Sequence, residues 1–161
     1  MGLQTKVEIG MPMAIEGMRC GLNITAYTTE NLMADSDGVT VGLFAWRHPD
    51  NKAANTATGA VPATPVGIVE RVIDFANRDI TSDASMIIPE GRTATIGVRG
   101  DYWARTSTAA TLDQVVFINT TDGTIATGAA GATVAGHVES DWHVESEGAA
   151  GDLIKISNWR S

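Results

Sequence analysis

The second half of this chain repeats a two-residue beat of apolar side chains, cut roughly every 10 to 20 residues by glycine or Asp-Gly turns, and that beat limits the fold more than any other feature. In R-T-A-T-I-G-V-R (92–99), Ala94, Ile96 and Val98 point one way while Thr93, Thr95 and Arg99 point the other, which is a strand with one wet face. D-Q-V-V-F-I-N (113–119) is apolar on both faces and belongs near the centre of a sheet. Asp122-Gly123, set between β-formers, predicts a tight hairpin. G-A-A-G-A and E-G-A-A-G-D mark two more turns, and L-I-K-I-S-N-W closes the chain with Ile154 and Ile156 alternating against Lys155 and Ser157. Short strands at this spacing predict an all-β fold, a single compact antiparallel sandwich or barrel of jelly-roll-like or β-tulip-like form. The candidate core is Val41, Leu43, Ile96, Val98, Val116, Ile118, Val134, Ile154 and Ile156.

The first half is less regular. Val7, Ile9, Met11, Met13 and Ile15 keep a period of two, interrupted by Pro12, which has no N–H for a ladder. Residues 1–22 therefore read as an extended arm that pairs either at an edge of its own domain or along a neighbouring subunit. The β domain spans 23–161. Within it, V-T-V-G-L-F-A-W (39–46) reads as a core strand, and 49–65, small, polar and holding three prolines, reads as a long loop. V-G-I-V-E-R-V-I-D-F (66–75) fits a strand better than a helix because of its β-branched content and Gly67. M-I-I-P-E-G (86–91) is a turn.

With 161 residues, the chain has room for one domain with a real core. Its net charge of −8 would repel a phosphate backbone, so nucleic acid is not an expected partner. No stretch approaches the ~18 apolar residues of a membrane span, and the N-terminus lacks the pattern of an export signal. The single cysteine, Cys20, cannot form an internal disulfide, which leaves packing and association to hold the fold.

Two motifs invite a functional reading. Arg99-Gly100-Asp101 matches an adhesion tripeptide, but Gly100 stands directly before Tyr102-Trp103, where a bend that re-aims two bulky rings explains it. G-H-V-E-S-D-W-H-V-E-S-E-G (136–148) places His137, Glu139, Asp141, His143, Glu145 and Glu147 on one parity. On a strand His137 and His143 would stand roughly 20 Å apart, too far to share one ion, so a solvated acidic face backed by Trp142 and Val144 is the expectation. No nucleophile elbow, phosphate loop or zinc motif occurs. The expectation is a protein without catalytic residues, cofactor or metal.

G-M-P-M-A-I-E-G-M (10–18) is similar to the Gly-x-Pro-x-Ala-x-x-Gly-Met opening of the tailed-bacteriophage capsid decoration, or structural cement, proteins. G-R-T-A-T-I-G-V-R-G-D-Y-W-A-R (91–105), followed by L-D-Q-V-V-F-I-N-T-T-D-G-T-I (112–125), resembles that family's Gly-x-Val-x-Val-x-x-x-Gly strand with its next strand and Asp-Gly hairpin. The resemblance implies a non-enzymatic virion protein, made in the host cytoplasm, that binds the exterior of the head and bridges capsomers. Its implied partners are the major capsid protein and copies of itself, a trimer ahead of a dimer. The arm residues Val7, Ile9, Met11, Pro12, Met13 and Ile15 are the expected partner contact. A phage tail or fibre module, or another surface-binding β module that recognises a host receptor or glycan through the tryptophans or the tripeptide, is the alternative.

Overall fold

The computed structural model describes residues 14–72 and 86–159. In chain order its strands are β1 (Ala26–Tyr27), β2 (Met33–Ala34), β3 (Val39–Thr40), β4 (Phe44–His48), β5 (Lys52–Ala54), β6 (Gly67–Val69), β7 (Ile87–Ile88), β8 (Ile96–Arg99), β9 (Asp101–Arg105), β10 (Val115–Asn119), β11 (Ile125–Gly128), β12 (His137–Val144) and β13 (Leu153–Ser157). They form a six-stranded sheet ordered β1-β8-β6-β4-β5-β2, a five-stranded sheet ordered β11-β10-β12-β13-β9, and the pair β3-β7. All pairings are antiparallel except β2 with β5. The described residues are thus all-β and sandwiched, as the alternation predicts.

Two cores set the layering. Phe44, Trp46 and Ile68 of the first sheet meet Tyr102, Val116, Ile118, Trp142, Val144, Ile154 and Ile156 of the second. Their immediate neighbours Ala45 and Val69 face the other way, into a second cluster with Leu32, Val39, Ile88 and Ile96. The first sheet is therefore buried on both faces, with β3 and β7 as a partial third layer. Phe44 meets Trp142 edge-on at 5.7 Å between ring centroids, and Tyr102 meets the same indole at 5.9 Å.

Six of the nine expected core residues are buried: Val41, Ile96, Val116, Ile118, Ile154 and Ile156. Leu43, Val98 and Val134 are half-buried. Val134 packs over Val115, Phe117 and Ala126 on the outer face of the second sheet, which is why β10 is apolar on both sides. β10 lies between β11 and β12, and the Asp122-Gly123 hairpin joins it to β11 in register Ile118↔Ile125.

The single strand expected over 39–46 is two. Gly42 has φ 83, and the chain turns there from β3 into β4, in a different sheet. The expected loop at 49–65 contains β5, where Ala53 and Ala54 are small enough to lie buried against β4 and β2. The rest of that stretch is pinned: the Trp46 indole N–H donates to the Ala63 carbonyl at 3.1 Å, and His48 Nε2 donates to the Thr56 carbonyl at 2.9 Å. In 66–75, Gly67–Val69 is strand, while 73–75 lie outside the described residues.

Arg99-Gly100-Asp101 is the corner where the chain leaves the first sheet at β8 and enters the second at β9. Gly100 adopts φ 150, and its N–H donates to Asn158 Oδ1 at 3.0 Å while Asn158 Nδ2 donates to the Val98 carbonyl. The turn aims Tyr102 inward across Gly97, where a β-carbon would lie 2.1 Å from the tyrosine oxygen. A Gly97→Ala substitution should lower unfolding free energy by about 1–3 kcal/mol, the usual cost of overpacking. Urea denaturation measures it, and an unchanged midpoint would show that the Tyr102 slot is not tight.

Candidate functional site

The segment that leads into the domain adds a strip to the second sheet. The Gly17 N–H donates to the Trp103 carbonyl at 2.8 Å, the Trp103 N–H to the Met18 carbonyl at 2.8 Å, and the Cys20 N–H to the Asp101 carbonyl at 3.0 Å. Residues 17–20 thus run antiparallel along β9 and cover its free edge. Of the expected contact residues, Val7, Ile9, Met11, Pro12 and Met13 lie outside the described residues. Ile15 is half-buried, and its carbonyl accepts the Met18 N–H at 3.1 Å.

Side chains lock this strip in place. Arg19 Nε lies 3.3 Å from Glu70 Oε1, and the Tyr102 hydroxyl donates to Glu70 Oε2 at 3.0 Å. Glu70 is buried, so its charge depends on these donors. Burial first, and then the Glu70 charge, holds the Tyr102 phenol well above its usual range. Burial, followed by a hydrogen bond to Glu70, also raises Tyr27. At the other end of the strip Glu16 pairs with Arg105.

Two concavities flank the strip. One, of about 580 Å³, is lined by Cys20, Asp101, Glu145, Lys155, Ser157 and Trp159 on the outer side of the second sheet. The other, of about 480 Å³ and more apolar, lies by Glu16, Leu43 and Arg105. In the first, Ser157 Oγ donates to Asp101 Oδ1 at 2.6 Å and Asn23 Nδ2 donates to Asp101 Oδ2 at 2.8 Å. Both oxygens of the tripeptide's carboxylate therefore accept bonds from its own domain. Burial, then Asp101, pushes the Cys20 thiol up to about 11.

The acidic strand is β12. Trp142 and Val144 are buried as expected, but its register against β10 slips: Phe117 faces Glu139 and Val115 faces His143. Ser140 fills the bulge by donating to the Val116 carbonyl at 2.7 Å. His137 Nδ1 bonds the Ala135 carbonyl, and Glu139 accepts the Gly131 N–H. Trp46 and Trp142 are core residues. Trp103 carries the Lys155 ammonium 5.2 Å from its ring centroid, and Trp159, which is 40% exposed, carries Arg99 at 4.9 Å. The four rings do not share one platform.

The sequence reading missed one surface. Leu22 (106% exposed) and Ile24 (79%) stand out from the bent connection that joins the strip to β1. The signal in the sequence is the alternation L-N-I-T-A-Y over 22–27, which straddles the boundary at residue 22 between the expected arm and the domain.

A family model described as XM1 gp53 minor capsid protein matches residues 4–158. A chain in the solved structure of the capsid of Myoviridae phage XM1 superposes with a TM-score of 0.63 at 16% identity, covering 98% of each chain. At that identity the likeness is one of fold. No curated protein matches the chain in sequence.

The raised thiol and phenol give a sign for alkaline stability. A folded-state pKa above the unfolded value contributes stability that is complete below the unfolded pKa and is lost as pH climbs toward the folded one. The urea midpoint should fall from pH 9 to about 11 through Cys20, and from pH 10 upward through Tyr102. Cys20→Ser should flatten the first part and Tyr102→Phe the second. The phenylalanine variant should also lose about 1–3 kcal/mol at neutral pH, because Glu70 forfeits a donor. Parallel curves for all three proteins would contradict this assignment.

Proposed function

The chain belongs to the XM1 gp53 minor capsid protein family, and from that premise we propose that it is a cement protein attached to the outside of a phage head, where it bridges neighbouring capsid subunits. As a member of that family it is a phage capsid structural protein and part of the virion. The observation that carries the finer reading is the net charge of −8. A protein lining the inner wall would face packaged DNA, and a surplus of carboxylates is repelled there, whereas the outer wall imposes no such penalty.

The two internal cores support the same reading. A domain that buries Phe44, Trp46, Tyr102 and Trp142 within one chain need not exchange elements with a partner in order to fold, so it suits addition to a shell already formed. Such a ligand stabilises the shell by mass action, because its contacts exist only when the shell does. Major capsid protein and further copies of this chain, a trimer ahead of a dimer, are the proposed partners. Val7, Ile9, Met11, Pro12, Met13 and Ile15 are the proposed anchor, a period-two segment able to add a strand to a neighbouring sheet, with methionines that adapt to an uneven groove.

Heads assembled without this protein and then mixed with it should take it up in a sedimentation assay, at sites open to externally added protease. Deleting residues 1–13 should leave the urea midpoint unchanged, since the strip at 17–20 and the Arg19–Glu70 pair remain, and should weaken uptake about tenfold or more. Undiminished uptake by the deletion variant would end the anchor assignment. No uptake of the intact chain would end the cement reading.

A further inference from the structure

We propose that residues 16–28 are a strap that opens as one unit while the rest of the domain stays folded, and that Glu70 is the catch that holds it shut.

The strap crosses from one sheet to the other. Its first part, 17–20, bonds the free side of β9. Its last part bonds β8, through the register Tyr27↔Gly97 and through the Thr28 N–H, which donates to the Ile96 carbonyl at 3.0 Å. The bent connection over 21–24 is exposed, and Asn23 ties it to Asp101. Because β8 and β9 meet at the Gly100 corner, one short segment closes the outer side of both.

The strap adds nothing to the cores. In chain order the buried apolar clusters begin at Leu32, and no side chain from 16–28 belongs to any of them. Met18, Leu22, Ile24 and Tyr27 are exposed, so main-chain hydrogen bonds and polar side chains supply the attachment. Burial of apolar surface is what binds a segment to the global unfolding of its domain, and a segment held at sheet edges by polar contacts opens at a lower free energy.

Glu70 makes the two parts one unit. It receives Arg19 at 3.3 Å from the first part and a hydrogen bond from Tyr27 in the last part. The Tyr102 hydroxyl holds it from the domain side at 3.0 Å, and Thr25, within the strap, bonds that hydroxyl in turn. A buried carboxylate depends on its donors, so loss of either part loosens the hold on the other. Once both have left, water reaches the carboxylate and Tyr102 keeps its bond, so opening strands no buried charge. Shut, the strap is an autoinhibitory cover, because no foreign strand can join β8 or β9 while it occupies their main-chain groups. Open, it frees the Trp103 N–H and the Ile96, Asp101 and Trp103 carbonyls for strand addition.

Hydrogen exchange on the intact chain tests this. The Gly17, Cys20, Thr28 and Trp103 amides each bond across the strap's seam. Measured against an unstructured peptide, they should exchange at least about tenfold faster than the amides of β10, with one common opening constant. Arg19→Ala removes a side chain that is 57% exposed. It should speed all four about tenfold, Thr28 at the far end included, and leave the β10 amides within about twofold. Tyr27→Phe should act from the other end, speeding all four about threefold. Amides that keep pace with β10 in the intact chain would show that the strap opens only when the domain unfolds, and would overturn the proposal. So would a variant that speeds only the amides at its own end, or that speeds β10 by the same factor.

Discussion

Glu70 carries a charge into a place where water scarcely reaches, and much of the molecule is arranged around meeting that demand. An isolated carboxylate would cost several kcal/mol in such a position. Here it is met by the Tyr102 hydroxyl from the second sheet and by Arg19 from the entering strip. Its own N–H donates to the Thr95 carbonyl beside β8. One side chain therefore joins the first sheet, the second sheet and the incoming segment. Tyr102 can serve it only because Gly97 leaves a slot and Gly100 permits the corner, so the tripeptide is best understood as part of the support for Glu70.

The same geometry explains why the sheet crossing was only half legible in the sequence. Gly100 before two aromatics announced a bend, and a bend is present. That the bend changes layers depends on Asn158, nearly sixty residues later, bonding both sides of it, and no local pattern encodes that. Hairpin and centre-strand assignments succeeded for the opposite reason: Asp122-Gly123 and V-V-F-I act over a few residues. The strand expected over 39–46 split because Gly42 looks like a permissible strand residue until its φ is known. β5 escaped notice because three residues ending in two alanines carry almost no periodic signal.

The surface was legible in proportion to how local it is. The alternation over 22–27 can be read directly, whereas the cleft is assembled from Cys20, Asp101, Glu145, Lys155 and Trp159, which only the fold makes neighbours. The acidic stretch 136–148 drew attention as a cluster, yet in the folded chain its Trp142 and Val144 carry the core and Ser140 mends a bulge. Glu145, just beyond β12, is the member of that stretch that reaches the cleft.

Thr108 and Thr127 have a consequence for a crowded particle. Thr108 Oγ1 accepts the Thr127 N–H at 2.8 Å and lies 3.1 Å from the Thr127 hydroxyl, so side-chain oxygen stands where a stranger's main chain would otherwise join β11. In a crowded assembly an unguarded strand margin would template the stacking of one sheet on another. Blunting that margin disfavours edge-to-edge pairing of one molecule with the next through β11.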